Sequence, residues 1–158
     1  MTEENQLGVQ IVIVEDQEAL AEIYKTRLEL AGYKCAVAHD GIQALVEIEK
    51  QRPRLVLLDL MMPKLSGDQV LKVMRGTDWG EDIKVLIISN LNEDDAPADL
   101  RDLGIEGYLI KANLTENQVD SIVDTILKPL GQTQDVSLEG PSPESSVVIE
   151  PKEPPLQQ

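Results

Sequence analysis

Three carboxylates, one hydroxyl and one ammonium stand directly after short apolar runs in this 158-residue chain. Glu15 and Asp16 follow the run ending at Val14, Asp59 follows Leu55 to Leu58, Ser89 follows Ile83 to Ile88, and Lys111 follows Gly107 to Ile110. Taken singly, an Asp after a strand is usually a helix cap and a Lys is usually solvated. The set says more. Clustered carboxylates repel one another, so without a cation at least one pKa rises. A hard dication relieves that repulsion. Mg²⁺ takes oxygen ligands, draws few of them from protein, and keeps waters and substrate phosphate oxygens in its shell. A carboxylate at the mouth of such a site, Asp59, can attack phosphorus and form an aspartyl phosphate. Lys111 would meet a phosphoryl oxygen as a point charge, and the Ser89 hydroxyl would donate to another.

These residues converge only if the runs before them lie side by side. The pattern predicts five strand–helix units between residues 9 and 128. Buried-strand runs are Gln10–Val14, Lys34–Ala38, Leu55–Leu58, Ile83–Ile88 and Gly107–Ile110. Helical periodicity falls between them. Leu20, Ile23, Tyr24, Leu28 and Ala31 mark one helix over 17–31, closed by Gly32. Ala44, Leu45 and Ile48 mark a second over 41–51, ended before Pro53. A third runs from 66 to 75, with Ser66 as N-cap. A polar, acidic fourth helix is expected up to Gly104. The last covers 115–128, with Thr115 and Gln118 as a capping box. Short apolar strands alternating with amphipathic helices imply a parallel sheet covered on both faces. Right-handed crossovers leave an α/β, doubly wound five-stranded sheet of order 2-1-3-4-5 as the natural candidate, a flavodoxin-like fold. Ligands in such folds sit at the carboxyl ends of the strands.

Composition narrows the field of partners. The formal net charge is −15, from 14 Lys+Arg against 29 Asp+Glu. Nucleic acid and anionic membrane surfaces are disfavoured, because phosphate binding needs a basic face. The single Cys fits a reducing compartment. No segment resembles a targeting signal or a membrane span, so a cytoplasmic location is expected. Residues 1–8 read as a flexible start and 9–128 as the domain. Residues 129–158 hold six of the nine prolines and five acids against Lys152 alone, and read as a disordered acidic tail. Within that tail, Val147-Val148-Ile149 is either a chance cluster or a short docking segment.

The chemistry-bearing residues lie in runs that resemble the receiver domain of two-component response regulators, of the stand-alone type. The likeness covers about residues 9 to 128. It is carried by Ile13-Val-Glu-Asp16, Leu57-Leu-Asp-Leu-Met-Met-Pro63 with Gly67 four residues later, Ile88-Ser89, and Tyr108-Leu-Ile-Lys111. The resemblance implies Asp59 as phosphoacceptor, supplied by a sensor histidine kinase or a phosphotransfer protein. It implies Mg²⁺ held by Glu15, Asp16, Asp59 and the backbone carbonyl of Met61. Ser89 and Lys111 would bind the phosphoryl group, and Tyr108 would be the switch aromatic. The output face would lie around the fourth helix, fifth strand and last helix. The domain would be no enzyme beyond its own phosphotransfer and dephosphorylation.

Several positions depart from the common pattern. Glu15 replaces the more usual Asp. Asn90 stands where Ala or Gly is usual and would restrict access to the acyl phosphate. Ala112 stands where a cis Pro is usual, and a trans bond is expected because a cis non-Pro bond costs about 2.5–4 kcal/mol. Pro97 is disfavoured past a first helical turn, so a late start or a loosened first turn is expected there. His39 is expected to be an exposed loop residue away from the acidic edge, Cys35 a buried apolar residue, and Trp79 a lid on the core or a contact surface.

Three other functions make different demands on the same residues. A Mg²⁺-dependent phosphohydrolase with an Asp nucleophile needs a second Asp two positions on, and Met61 stands there. A flavin carrier needs a phosphate loop after the first strand, where Glu15 and Asp16 would repel phosphate. A phosphorylation-independent adaptor would not need all five site residues. The acids Glu93, Asp94, Asp95, Asp99, Asp102 and Glu106, set against Arg101, disfavour a symmetric dimer through that face and point to a monomer and to a downstream protein with a basic docking face.

Overall fold

Four consecutive β-branched residues, Ile11–Val14, form the first strand, β1, and all four are buried. The structure is a computed structural model and describes residues 8–128. The segment before Gly8 and the expected tail at 129–158, with its Val147–Ile149 patch, lie outside the described residues. The chain divides into two compact units, Met1–Ile122 and Val123–Gln158. The first holds the whole sheet. Of the second, only residues 123–128 are described.

After β1 come α1 (Glu18–Leu30), β2 (Cys35–Ala38), α2 (Gly41–Gln51), β3 (Leu55–Leu58), α3 (Gly67–Arg75), β4 (Lys84–Ser89), β5 (Gly107–Ile110) and α4 (Glu116–Leu127). The strands form one parallel sheet in the order β2-β1-β3-β4-β5, as expected. Alternation along the strands divides the core. Val12, Val14, Val56, Leu58, Val85 and Ile87 pack with Ala44 and Ile48 of α2 and Val70, Leu71 and Met74 of α3. Ile13, Leu57 and Ile88 look the other way, toward Tyr24 of α1. Both faces are covered, which is why the strands read as continuous apolar runs.

Local signals set the helix ends. Gly32 adopts φ +104°, a conformation costly for other residues, and Tyr33 N–H then reaches back to the Leu28 carbonyl at 3.0 Å. Asp40 caps α2 by accepting the Gln43 N–H at 2.8 Å. Ser66 precedes α3, and its N–H donates to Gln69 Oε1 at 3.0 Å. Ahead of α4, Thr115 N–H donates to Gln118 Oε1 at 2.8 Å. In α1 the buried positions are Ala21, Tyr24 and Leu28, whereas Ile23 and Ala31 are exposed. The apolar stripe therefore passes through Ala21, a small residue that allows close approach to the sheet.

The acidic fourth helix is absent. Residues 92–104 instead form two short 3₁₀ turns, Glu93–Asp95 and Arg101–Leu103. Pro97 explains the break. The residue before a proline is pushed out of the helical region, and Ala96 has φ −77° and ψ 161°. Pro97 also has no N–H to give to Glu93, the first bond of a continuing helix. The expectation of a loosened first turn had the right cause and too small an effect. The bonds that remain span three residues, such as Leu100 N–H to Pro97 O at 3.1 Å and Leu103 N–H to Leu100 O at 3.1 Å. Leu100, 2% exposed, anchors the segment in the core.

Two side-chain expectations hold and one face is less acidic than it read. Cys35 is buried. Trp79 packs partly buried on the core, with the Arg52 guanidinium 5.7 Å from its ring centre. On the 92–104 segment, Glu93 pairs with Arg101, and Asp99 pairs with Lys72 of α3 at 3.1 Å.

Candidate functional site

The register of the sheet assembles the site. Val14 lies beside Leu58, Leu58 beside Ile87, and Ser89 beside Ile110. The next residues along, Glu15, Asp59 and Lys111, therefore emerge at one edge together with Ser89. The ladder continues one step beyond the strands, with Glu15 N–H to Ala38 O at 3.0 Å and Asp59 N–H to Val14 O at 3.1 Å. This fixes the backbone of both carboxylates.

Lys111 binds the two buried acids together. Its Nζ lies 2.7 Å from Glu15 Oε1 and 2.9 Å from Asp59 Oδ2. The other oxygens are held by backbone: Gln17 N–H donates to Glu15 Oε2 at 3.1 Å and Met61 N–H donates to Asp59 Oδ1 at 3.1 Å. Glu15 and Asp59 are 2% and 3% exposed, while Asp16 is open to solvent. Burial pushes the Glu15 carboxyl up, against the lowering pull of the Lys111 and Gln17 contacts. Burial alone would lower the Lys111 pKa, but its bonds and attraction to Glu15 and Asp59 raise it overall.

One oxygen from each of Glu15, Asp16 and Asp59 lies within 4.8 Å of the others. This all-oxygen, partly solvated donor set suits a hard dication, which keeps some waters. Two members being buried makes the repulsion between them costly unless a cation is near.

Ser89 is fully buried, and its Oγ accepts the Leu91 N–H at 3.2 Å. The Leu91 carbonyl in turn accepts the Tyr108 hydroxyl at 2.6 Å. Leu91 thus bridges Ser89 and Tyr108 through its own peptide groups. Sequence reading missed it because a backbone role leaves no mark in residue type. Asn90 is exposed. The described chain has no cis peptide bond, so Lys111-Ala112 is trans.

The sequence predicts His39 to be an exposed loop residue away from the acidic edge. It is half-buried, with Nδ1 3.0 Å from the Glu15 carbonyl oxygen. The cause is register: Ala38 pairs with Val14, so the residue after β2 necessarily neighbours the residue after β1. No helix among the described residues is long and apolar enough to cross a membrane.

Known proteins agree with this geometry. The response regulator MprA of Mycobacterium tuberculosis is 35% identical over 105 residues, covering 66% of this chain and 45% of that protein. The chain spans less than half the length of the curated relatives it matches. A Francisella response regulator receiver domain superposes with a TM-score of 0.66 at 26% identity, covering 75% of this chain and 95% of that one. The Mn²⁺-bound form of the response regulator Rcp1 superposes with a TM-score of 0.67 at 26% identity, covering 78% and 96%. The family model described as the response regulator receiver domain matches residues 11–124. Since that span holds the whole sheet and all five strand-end residues, the chain belongs to the response regulator receiver domain family of two-component signalling.

Proposed function

We propose that Asp59 accepts a phosphoryl group from the phosphohistidine of a sensor kinase or phosphotransfer protein. An Asp59 carboxylate oxygen attacks phosphorus, the new O–P bond forms as the P–N bond of the donor breaks, and the imidazole nitrogen leaves with the electron pair. Glu15, Asp16 and Asp59 would hold Mg²⁺, with the Met61 carbonyl as a further ligand. The bound dication would neutralise charge on the transferring phosphoryl oxygens. Lys111 orients Asp59 and supplies positive charge to one phosphoryl oxygen, and Ser89 donates to another. The observation that carries this reading is the convergence of Lys111 on Asp59 at 2.9 Å beside two further carboxylates. That a response regulator of similar fold, Rcp1, is described in a Mn²⁺-bound form supports the reading that this site takes a dication.

The output passes through Ser89, Leu91 and Tyr108 to the 92–104 segment. Asp94 and Asp95 of that segment line a groove with Tyr108 and Ile110. A downstream protein with a basic docking face fits this surface, and its binding would weaken as salt rises. The domain acts as a monomer spanning residues 9–128. Incubation with acetyl phosphate and Mg²⁺ tests the assignment. The intact chain should gain one acid-stable, hydroxylamine-labile phosphoryl group, and Asp59→Asn should gain none. Undiminished labelling of that variant would sink the reading.

A further inference from the structure

The edge of the sheet opposite the carboxylates carries bases. Lys34, Gln10 and Arg54 directly precede β2, β1 and β3, and Lys84 opens β4. Backbone bonds hold them side by side. Gln10 N–H donates to Lys34 O at 2.8 Å, Arg54 N–H to Gln10 O at 2.8 Å, and Lys84 N–H to Arg54 O at 3.3 Å. Arg52, just after α2, adds a fourth base. Lys34, Arg52, Arg54 and Lys84 are exposed, and Lys34, Arg52 and Lys84 form no ion pair among the described residues. We propose that this edge is a docking surface for a carboxylate-rich segment of another protein, and that it works independently of the site at Asp59.

Arg52 is prepared for such a partner. Its backbone is left-handed, with φ 47° and ψ 58°, a conformation unfavourable for a residue with a Cβ and usual for Gly at a helix end. Its guanidinium lies 5.7 Å from the Trp79 ring centre, and its Nε donates to Glu49 O at 2.6 Å. A guanidinium held at two points loses little freedom on meeting a carboxylate, and its planar fork matches one. Adjacent strands are about 4.8 Å apart, so the row from Lys34 to Lys84 spans about 14 Å. Side chains on one side of an extended peptide recur about every 7 Å, which lets successive carboxylates meet this row. The net charge of −15 does not forbid the contact. Gln10 and Glu15 are five residues apart along β1, about 16 Å, whereas charges are screened within about 8 Å at physiological salt. The row is also bounded. Asp78, Glu81 and Asp82 precede β4, Glu106 precedes β5, and Asp82 and Glu106 attract Arg75. A long polyanion such as nucleic acid would run on into these acids, and a short acidic segment would not.

Trp79 is the sole tryptophan, so its emission reports on the Arg52 contact. End-capped hexaglutamate, titrated into the full chain, serves as the probe. It should change the Trp79 emission and shift the amide resonances of Gln10, Lys34, Arg54 and Lys84. Its Kd should rise about threefold or more between about 50 and 200 mM NaCl. Lys34→Gln and Lys84→Gln alter exposed side chains and should each weaken binding about two- to fivefold. Arg52→Gln should weaken it as much and remove the emission change. Beryllofluoride and Asp59→Asn should both leave the Kd unchanged, so a failed phosphoacceptor assignment would leave this surface standing. The proposal is overturned if the shifts are absent or fall away from this edge, or if Lys34→Gln and Lys84→Gln bind as the wild type does. Tighter binding of single-stranded oligothymidylate than of hexaglutamate at the same edge would overturn the choice of partner. A Kd moved by beryllofluoride would overturn the independence from Asp59.

Discussion

The Tyr108 hydroxyl donates to the Leu91 carbonyl at 2.6 Å. The N–H of the same Leu91 residue donates to Ser89 Oγ at 3.2 Å. A buried hydroxyl at the site and a half-buried aromatic at the edge strand are therefore joined by one residue's backbone. If Ser89 turns its oxygen toward a phosphoryl group, the Leu91 N–H loses its acceptor, and the constraint on the Leu91 carbonyl changes with it.

Replacing Tyr108 with Phe tests that link. The Leu91 carbonyl loses its donor, and stability should fall by about 0.5–1.5 kcal/mol. Beryllofluoride, an acyl-phosphate mimic, should shift the amide resonances of Ser89 and Leu91 in the wild type. In Tyr108→Phe the Ser89 shift should remain and the response of residues 92–104 should shrink. An unchanged response across 92–104 would show that the signal bypasses Tyr108.

Arg75 is the main fastener of the helix-free segment. Its Nε donates to Leu103 O at 2.6 Å, and its Nη2 to Gly104 O at 2.7 Å. Its Nη1 reaches Gly80 O at 2.7 Å and Ile83 O at 2.8 Å. One guanidinium thus ties the end of α3, the start of β4 and the second 3₁₀ turn. Lys cannot reproduce this planar fork. Arg75→Lys should lower stability by about 1–3 kcal/mol and speed amide exchange at Gly104. Chemical denaturation and exchange mass spectrometry would measure the two effects, and unchanged exchange at 101–104 would count against the role.

What could be read from the sequence follows from the distance over which each cause acts. The strands and their order were legible because both sheet faces are buried, so whole runs such as Leu55–Leu58 are apolar. Glu15, Asp59, Ser89 and Lys111 were legible because each directly follows such a run. The 92–104 segment was misread because its acidic composition suits an exposed helix, while its conformation turns on Pro97 and on a buried Leu100. The offset of Asp99 by Lys72, and the place of His39, depend on partners distant in sequence or on strand register. The Arg75 fan and the Leu91 bridge use backbone carbonyls and amides, which residue type does not encode.

Gly67 is required by a close approach. A Cβ there would sit 2.2 Å from the Asp59 carbonyl oxygen and 2.8 Å from Leu60 Cα. Both contacts are backbone, so a side chain cannot simply rotate away. Gly67→Ala should displace the β3–α3 loop, cost about 1–3 kcal/mol or more, and disturb the Met61 N–H contact to Asp59. Thermal unfolding and the Met61 amide shift would report it, and a wild-type melting temperature would contradict the close packing.

Cys35 gives the chain a defined alkaline weakness. Burial first, and the Glu29 charge second, push its thiol from an ordinary 9.0 up to about 12, with Lys25 opposing. Between those values the unfolded chain releases the thiol proton and the folded chain keeps it. The folded state then binds more protons, so stability falls as pH rises from about 9 toward 12. Cys35→Ala removes this contribution. Its denaturation midpoint should therefore drop less steeply than that of the wild type above pH 9, while the two run parallel below pH 8. Native Cys35 should also react with iodoacetamide at pH 8.5 about a hundred- to thousandfold more slowly than the unfolded chain, because little thiolate is present and the sulfur is buried. Parallel pH profiles for the two proteins from pH 9 to 11 would refute the shifted thiol.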